Sequence, residues 1–388
     1  MTTFQSLATA IAAQVGTGNL AGAATALIGG GPGAIFWMWV SAFFGMSTIY
    51  AEATLAQQYK VKKDGEVTGG PVYYIRAAFK GTFGKALAAI FAILIVLALG
   101  FTGNMVQSNS IGAAFSEVFS ARNIEIPSIV FGLILAAVIG FIFLGGVNRL
   151  ASVVEKIVPI MAGIYIVGSL VLILMNITAL PGAIKMIFVG AFNPEAVVGA
   201  GAGIAVREAI RFGVARGLFS NEAGMGSTPH AHARAKVENP HKQGLAAMIS
   251  VFIDTFIILN LTVFSILTTG VLDSGKEGTA LTQAAFTKGF GNFGDIFVAV
   301  CLLFFAFSTI LGWHFFGEVN VKYLFGEKAA KFYSILVIGF VIVGSTLKVQ
   351  LVWSLSDFFN GLMVIPNAIA LWALSGVVVK ICKQYGKK

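Results

Sequence analysis

Ten apolar stretches dominate this sequence, and each is long enough to cross a lipid core of about 30 Å. They run at roughly 2–28, 33–59, 84–118, 124–145, 152–175, 203–233, 241–270, 288–324, 328–347 and 352–382, the sixth being the most polar. Of the 388 residues, 57% are hydrophobic and 11% charged. A soluble globule with that balance could not hide its apolar surface from water, whereas a bilayer solvates it. The expectation is an all-α, polytopic membrane protein of about ten transmembrane helices, one membrane domain over 1–388. Length counts crossings here, not domains. Between 176 and 202 a Pro- and Gly-bearing connection has room for a short interfacial helix, GAIKMIF.

Charge assigns the sides. With the N-terminus inside, the inside loops 60–85, 146–156, 234–242, 322–331 and the C-terminal tail carry 18 of the 26 Lys and Arg residues, from Lys60, Lys62 and Lys63 to Lys387 and Lys388. The outside loops carry five: Arg122, Lys185, Lys276, Lys288 and Lys348. Such asymmetry predicts ten crossings with both termini cytoplasmic. The net charge of +9 is therefore topological. No basic stripe interleaved with aromatics points to nucleic acid. Cys301 and Cys382 have no metal-ligand spacing, and a structural disulfide is not expected. MTTFQSLATA lacks the basic start of a signal peptide. The sequon Asn176-Ile177-Thr178 reads as chance.

The string Asn-x-Ala-Gly occurs twice, as Asn19-Leu20-Ala21-Gly22 in segment one and Asn221-Glu222-Ala223-Gly224 in segment six. Each follows a glycine: Gly16 and Gly18 in the first, Gly217 in the second. Matching breaks in the first and sixth of ten segments divide the chain into two five-helix halves, 2–175 and 203–382. Each glycine lowers helix propensity by about 1 kcal/mol relative to Ala. In lipid an opened helix leaves bare N–H and C=O groups, at several kcal/mol apiece, unless it is buried in protein or lines a wet cavity. Such a break has uses: a half-helix N-terminus suits a carboxylate, and freed carbonyls suit a cation. Close packing of small residues is the other reading, and Gly22 and Gly45 fit it. Gly16-Thr17-Gly18-Asn19-Leu20-Ala21 also fits a dinucleotide fingerprint, but it lies inside an apolar span with no preceding strand.

Ionisable residues within spans are costly and face cavities or partners. Arg207, Glu208, Arg211, Arg216 and Glu222 all lie in segment six. Arg216 and Glu222 flank its break and can pair with each other or with Asp254 of segment seven; for Arg216 an ion pair closing a gate is favoured over substrate contact. Glu52 and Glu155, near inside ends, can snorkel to water. His230, His232, His241 and His314 lack metal-site spacing and read as interfacial. No nucleophile elbow, zinc helix or phosphate loop is present, so no enzyme is expected. Segment eight carries the hydroxyls Ser308 and Thr309, with Trp313 one turn on. Segment three carries Asn104, Gln107, Ser108 and Asn109. These can serve a polar pocket or only interhelical hydrogen bonds.

At these motifs the sequence resembles the alanine/glycine:cation symporter family, also called sodium:alanine symporters. The strings that carry the likeness are FQSLATAIAAQVGTGNLAG (4–22), GGPGAIFWMWVSAFFGMSTIYAE (30–52), GNMVQSNSI (103–111), RGLFSNEAGMGSTPHAHA (216–233) and STILGW (308–313). The family is similar in fold to the bacterial leucine transporter, with two inverted five-helix repeats. The resemblance implies sodium-coupled uptake of alanine or glycine across the cell membrane by alternating access. It implies a substrate carboxylate at Thr17, Gly18 and Asn19, with the amino group and side chain among Met105, Gln107, Asn109, Phe219 and Trp313. Sodium would lie between segment-one carbonyls near Gln14 and Gly16 and the hydroxyls of Ser308 and Thr309. No cofactor beyond that coupling ion is implied, and no protein partner. Proton coupling, a passive channel and an intramembrane enzyme using Asp254 or the histidines stay as alternatives. Family members usually carry about one helix and a polar lead before the FQ-type string, whereas here Met1-Thr2-Thr3 precedes Phe4. Either the start is placed late or the form is shortened, with all ten core segments kept.

Overall fold

A computed structural model describes residues 1–63, 65–143, 146–193 and 206–386. Residues 194–205, which include the end of the 176–202 connection and the start of segment six, lie outside the described residues, as do Lys387 and Lys388. The apolar stretches form helices. Segment one is Thr3–Gln14 followed by Gly18–Gly30, bent by 45° between them. Segments two to five are Gly33–Gln58, Gly81–Ser120, Ser128–Phe143 and Gly146–Met175. Segment six is Val206–Asn221, then an irregular stretch, then Pro229–Ala233. Segments seven to ten are Pro240–Thr269, Gly294–Phe325, Lys328–Thr346 and Val349–Ala373.

Seven of the described helices are long and apolar enough to span a bilayer alone, and the bent first segment makes an eighth. The described helices of segments four and six are shorter, 16 residues each, and that of segment six also carries Arg207, Glu208, Arg211 and Arg216. The last apolar stretch ends earlier than expected: the helix stops at Ala373, and Ser375–Tyr385 forms a separate amphipathic helix. The 176–202 connection does hold a short helix, Leu180–Phe192. Further pieces were not foreseen, among them the short helix Pro71–Ala78 in the 60–85 loop. A hairpin pairs Val61–Lys63 with Glu66–Thr68, and helix Gly278–Phe290 buries Leu281, Thr282, Gln283 and Phe286.

Local chemistry sets the ends. Thr2 and Gln5 make a capping box at the start of segment one. Asn239 Oδ1 accepts from Lys242 N ahead of Pro240 in segment seven, and Gly270, at φ +65°, closes that helix. Large apolar side chains such as Phe43, Leu174 and Phe332 point outward, while Glu52, Gln107 and Asp254 are fully buried. That arrangement is what a lipid-solvated exterior demands.

Segments one, three, six and eight meet at the centre, with two and seven packed on six. Over-wide π-helical turns occur at Gly18–Gly22, Val96–Gly103 and Phe252–Leu259, in segments one, three and seven and always beside that centre. The termini share a face: Lys236 N donates to Met1 O, and Gly386 packs near His241.

Some contacts admit no Cβ. At Gly33, where segment two begins, a Cβ would lie 2.0 Å from Gly190 O and 2.1 Å from Gly190 C, both rigid backbone, while at Gly163 nothing lies within 4 Å. Gly33→Ala is therefore expected to lower the melting temperature of the detergent-purified protein, the overpacking amounting to about 1–3 kcal/mol. Gly163→Ala should not lower it. Equal melting temperatures for the two variants would show that this helix crossing is loose.

Candidate functional site

The first break begins where segment one stops making its ladder. Gly16 N donates to Asn19 Oδ1 (2.9 Å) instead of continuing the helix, and Thr17 N donates to Gln107 Oε1 of segment three (3.1 Å). Thr17 Oγ1 reaches the same oxygen at 2.6 Å. Two donors on one atom fix which end of the Gln107 amide faces Thr17. The opposite end, Nε2, is buried without a partner, and so is Gln14 Oε1, whose Nε2 donates to Asn221 O (2.7 Å).

The second break spans Glu222 to Thr228, with positive φ at Glu222, Gly224 and Gly226. Segment two feeds it. Glu52 accepts from Gly224 N (3.1 Å) and Gly226 N (2.9 Å), and Asn367 of segment ten donates to the same carboxylate (2.5 Å). Asn367 also donates to Gly224 O at 2.9 Å. Glu52 is thus fully buried and does not snorkel; it supplies acceptors to N–H groups that the broken helix has released.

The breaks touch. A Cβ on Gly18 would lie 3.0 Å from Ser220 Cα and 3.2 Å from Phe219 Cδ1. Asp254 of segment seven ties them together: Asn19 Nδ2 donates to its Oδ1 (2.7 Å), and Ser220 Oγ donates within 3.0 Å of both oxygens. Asn221, at the second copy of the repeated string, reaches the next residue, its Nδ2 donating to Thr255 Oγ1 at 3.3 Å. Both repeat asparagines therefore meet adjacent residues of segment seven.

Segment eight completes the enclosure. Thr309 Oγ1 lies 2.8 Å from Ala12 O, 3.1 Å from Phe305 O and 3.4 Å from Val15 O. A hydroxyl has one proton, so it satisfies one of these carbonyls and leaves an oxygen-rich spot. Trp313 packs edge-on to Phe219, centroids 5.6 Å apart. Arg216 pairs bidentately with Asp357 of segment ten at 2.8 and 2.7 Å and lies 4.3 Å over the Trp353 ring. The expected pairing of Arg216 with Glu222 or Asp254 does not form, because Asp357 reaches Arg216 on the side of the break away from the termini. On the termini side, Ser6 Oγ donates to Ala231 O at 2.9 Å. Thr17, Asn19, Gln107, Thr309 and Trp313 are all buried, so the site is shut from both faces.

Three comparisons bear on identity. The whole chain, residues 1–388, matches the family described as the sodium:alanine symporter family. The amino-acid carrier protein AlsT of Bacillus subtilis is 44% identical over 378 residues, covering 97% of this chain and 78% of that protein. The sodium/alanine symporter AgcS of Methanococcus maripaludis is 42% identical over 390 residues, covering 99% and 84%. The chain belongs to the sodium:alanine symporter family. Its fold is shared with a membrane transporter of solved structure: a mutant of the Eremococcus coleocola manganese transporter matches with TM-score 0.60 at 14% identity, over 96% of this chain and 76% of that one.

In this symporter-family chain, nine of the twelve candidate residues come together at the two breaks: Gln14, Gly16, Thr17, Gly18, Asn19, Gln107, Phe219, Thr309 and Trp313. Three are elsewhere. Asn109 donates to Gly344 O and Leu347 O and caps segment nine. Met105 packs its backbone against Gly344. Ser308 turns to Phe305 O and Met161 Sδ of segment five. The carbonyls at Thr309 are those of Ala12 and Val15 rather than of Gln14 and Gly16. Ser220 was not singled out, and Asp254, Glu222 and Glu52 were read as ion-pair or snorkelling residues, Asp254 also as a proton or cation site, rather than among the twelve. Three of the four histidines are not interfacial: His230, His232 and His314 are at most 2% exposed, whereas His241 is half-buried. His230 sits between Ser227 O (2.7 Å) and Asn320 Nδ2 (2.8 Å), beneath Gly70.

Glu52→Ala strands the Gly224 and Gly226 N–H groups, at about 1–3 kcal/mol for each buried donor left unpaired. The variant is expected to melt clearly below wild type in detergent. Glu52→Gln, whose single side-chain oxygen can still accept, should fall between them. Full stability in Glu52→Ala would mean that water or rearranged backbone caps this break.

Proposed function

We propose that the chain is a secondary active symporter that takes up a small amino acid, alanine or glycine, with sodium by alternating access. The observation that carries this reading is the direct contact of two opened helices, with the buried Gln107 Nε2 and Gln14 Oε1 left without partners beside them. A free amino acid is a zwitterion, so it needs donors and acceptors side by side, and opened helices supply both.

The substrate carboxylate is assigned to Thr17, Gly18 and Asn19 with Gln107 Nε2, a buried donor with nothing else to bind. The unpartnered Nε2 favours a Gln107 contribution at the carboxylate over one at the amino group. The ammonium is assigned to acceptors of the second break, with Asp254 supplying the negative field. Phe219 and Trp313 bound the side chain, and their bulk suits a methyl group or a hydrogen. Sodium is assigned to Thr309 with the Ala12, Val15 and Phe305 carbonyls, a hard-oxygen set that suits a small hard cation.

Both closures fit a transport cycle. The Arg216–Asp357 pair shuts one side and the Ser6–Ala231 contact the other, and alternating access opens one at a time. The Lys and Arg asymmetry favours cytoplasmic termini and a plasma-membrane location, with Arg216–Asp357 as the outer closure. The two five-helix repeats, 2–175 and 203–382, belong to the same proposal. Proton coupling is the second reading. It is favoured by Glu52, Glu222 and Asp254, buried carboxylates without a Lys or Arg partner among the described residues.

Radiolabelled alanine uptake into proteoliposomes tests both. An inward sodium gradient should drive accumulation above the outside concentration, which a pore cannot do. Equal uptake with and without sodium rejects sodium coupling, and uptake driven by a pH gradient alone selects the proton. Thr309→Ala should raise the sodium concentration for half-maximal uptake about tenfold, equivalent to about 1.4 kcal/mol, with Thr309→Ser near wild type. An unchanged sodium dependence in Thr309→Ala removes that residue from the cation site.

A further inference from the structure

Glu222 holds a conformation that its neighbours reach as glycines. Its φ is +57°, beside +95° at Gly224 and +75° at Gly226. A side chain resists this left-handed region and glycine does not. A glutamate persists there when its surroundings fix it, and such positions cluster at functional sites.

The surroundings are specific. The Glu222 carboxylate is fully buried and accepts from two groups, Trp313 Nε1 at 2.6 Å and the Ser227 hydroxyl. Trp313 is 1% exposed and carries a single donor, so the turn of its ring is set where that donor is satisfied. The opposite edge rests on segment three. A Cβ on Gly103 would lie 2.5 Å from Trp313 Cζ3 and 2.7 Å from Cε3. Phe219, on the helix that ends just before Glu222, meets the ring at 87°.

We infer that Glu222 is a positioning residue that locks the Trp313 indole and that, with Gly103 beneath the ring, it sets the size of side chain the site accepts. This rests on the amino-acid site proposed above. The indole is one wall of that site, gripped at its nitrogen by the segment-six break and supported at its benzo edge by segment three. Release of the grip lets the ring turn and the pocket grow. A methyl group at Gly103 forces the ring off segment three toward Phe219, and the pocket shrinks.

The test is sodium-driven uptake of glycine, alanine and 2-aminobutyrate by the reconstituted full chain. Glu222→Gly removes the carboxylate while easing the backbone. It should raise the 2-aminobutyrate-to-alanine ratio of kcat/KM about tenfold, the scale of one methylene in an apolar pocket. Glu222→Gln, whose Oε1 still accepts from the indole, should restore the wild-type ratio. Gly103→Ala should move preference about tenfold toward glycine over alanine. The shift should lie mainly in KM, which a general loss of folded protein would not produce. Ratios within about twofold of wild type in both Glu222→Gly and Gly103→Ala overturn the inference while leaving symport intact. If Glu222→Gly does not insert, Gly103→Ala and Glu222→Gln decide the matter on the same ratios. Sodium-independent uptake, or none, by the wild-type chain overturns the symport reading and this inference together.

Discussion

Within a bilayer, every N–H and C=O that leaves a helix must find another partner, and the centre of this molecule is built around meeting that demand twice. At the first break the released groups go to Asn19 Oδ1, Gln107 Oε1 and Thr309 Oγ1. At the second they go to Glu52 and Asn367. Partners therefore come from segments two, three, eight and ten, and Asp254 of segment seven joins the two breaks. Helix order around the centre follows from the same need: a segment that caps a break has to lie beside it.

The two breaks are satisfied by different chemistry. Around the first, the partners are amides and a hydroxyl, which are neutral and leave Gln14 Oε1 and Gln107 Nε2 over. Around the second, they include carboxylates at Glu52 and Glu222. A buried charge without an opposite charge is expensive. Hydrogen bonds offset the burial of the Glu52 carboxyl, on which two main-chain N–H groups and an amide converge, and of the Asp254 carboxyl, which Asn19, Ser220 and Thr255 surround. Arg216, on the helix that leads into the second break, is committed to Asp357. The carboxyl groups of the centre therefore have no Lys or Arg partner among the described residues, which suits a protein that carries cations with its substrate.

Much of this was legible in the sequence, and the limit has a physical cause. Gly16, Gly18 and the paired Asn-x-Ala-Gly strings act locally: they weaken a helix wherever the chain goes, so the breaks could be read from residues alone. Partners could not. Asn109 and Gln107 lie two residues apart and look alike in an apolar span, yet one caps segment nine and the other caps segment one. That choice is made by segments more than two hundred residues apart in sequence or ninety away. Ser308 and Thr309 are neighbours on a helix and so point about 100° apart; only one can face segment one. Glu52 near a helix end matched a snorkelling residue, since nothing local distinguishes an end open to water from one covered by segment six. Helix Gly278–Phe290 was hidden for a related reason. Its apolar face is short, and its use, including Thr282 Oγ1 donating to Leu20 O at 3.1 Å, depends on the bend it covers.

The π-helical turn Val96–Gly103 shows how segment three serves both ends of the site. An over-wide turn inserts a residue and resets the phase of the helix that follows it. Gly103 ends that turn, and Gln107 comes four residues later, on the same face of the resumed helix. One face thus gives Trp313 a bare backbone to rest on and, one turn farther, gives Thr17 an amide oxygen. A regular helix through 96–103 would rotate the two together away from segments one and eight. The Trp313 ring and the amide that holds the first break open are placed by the same turn, and a change in its phase would move both.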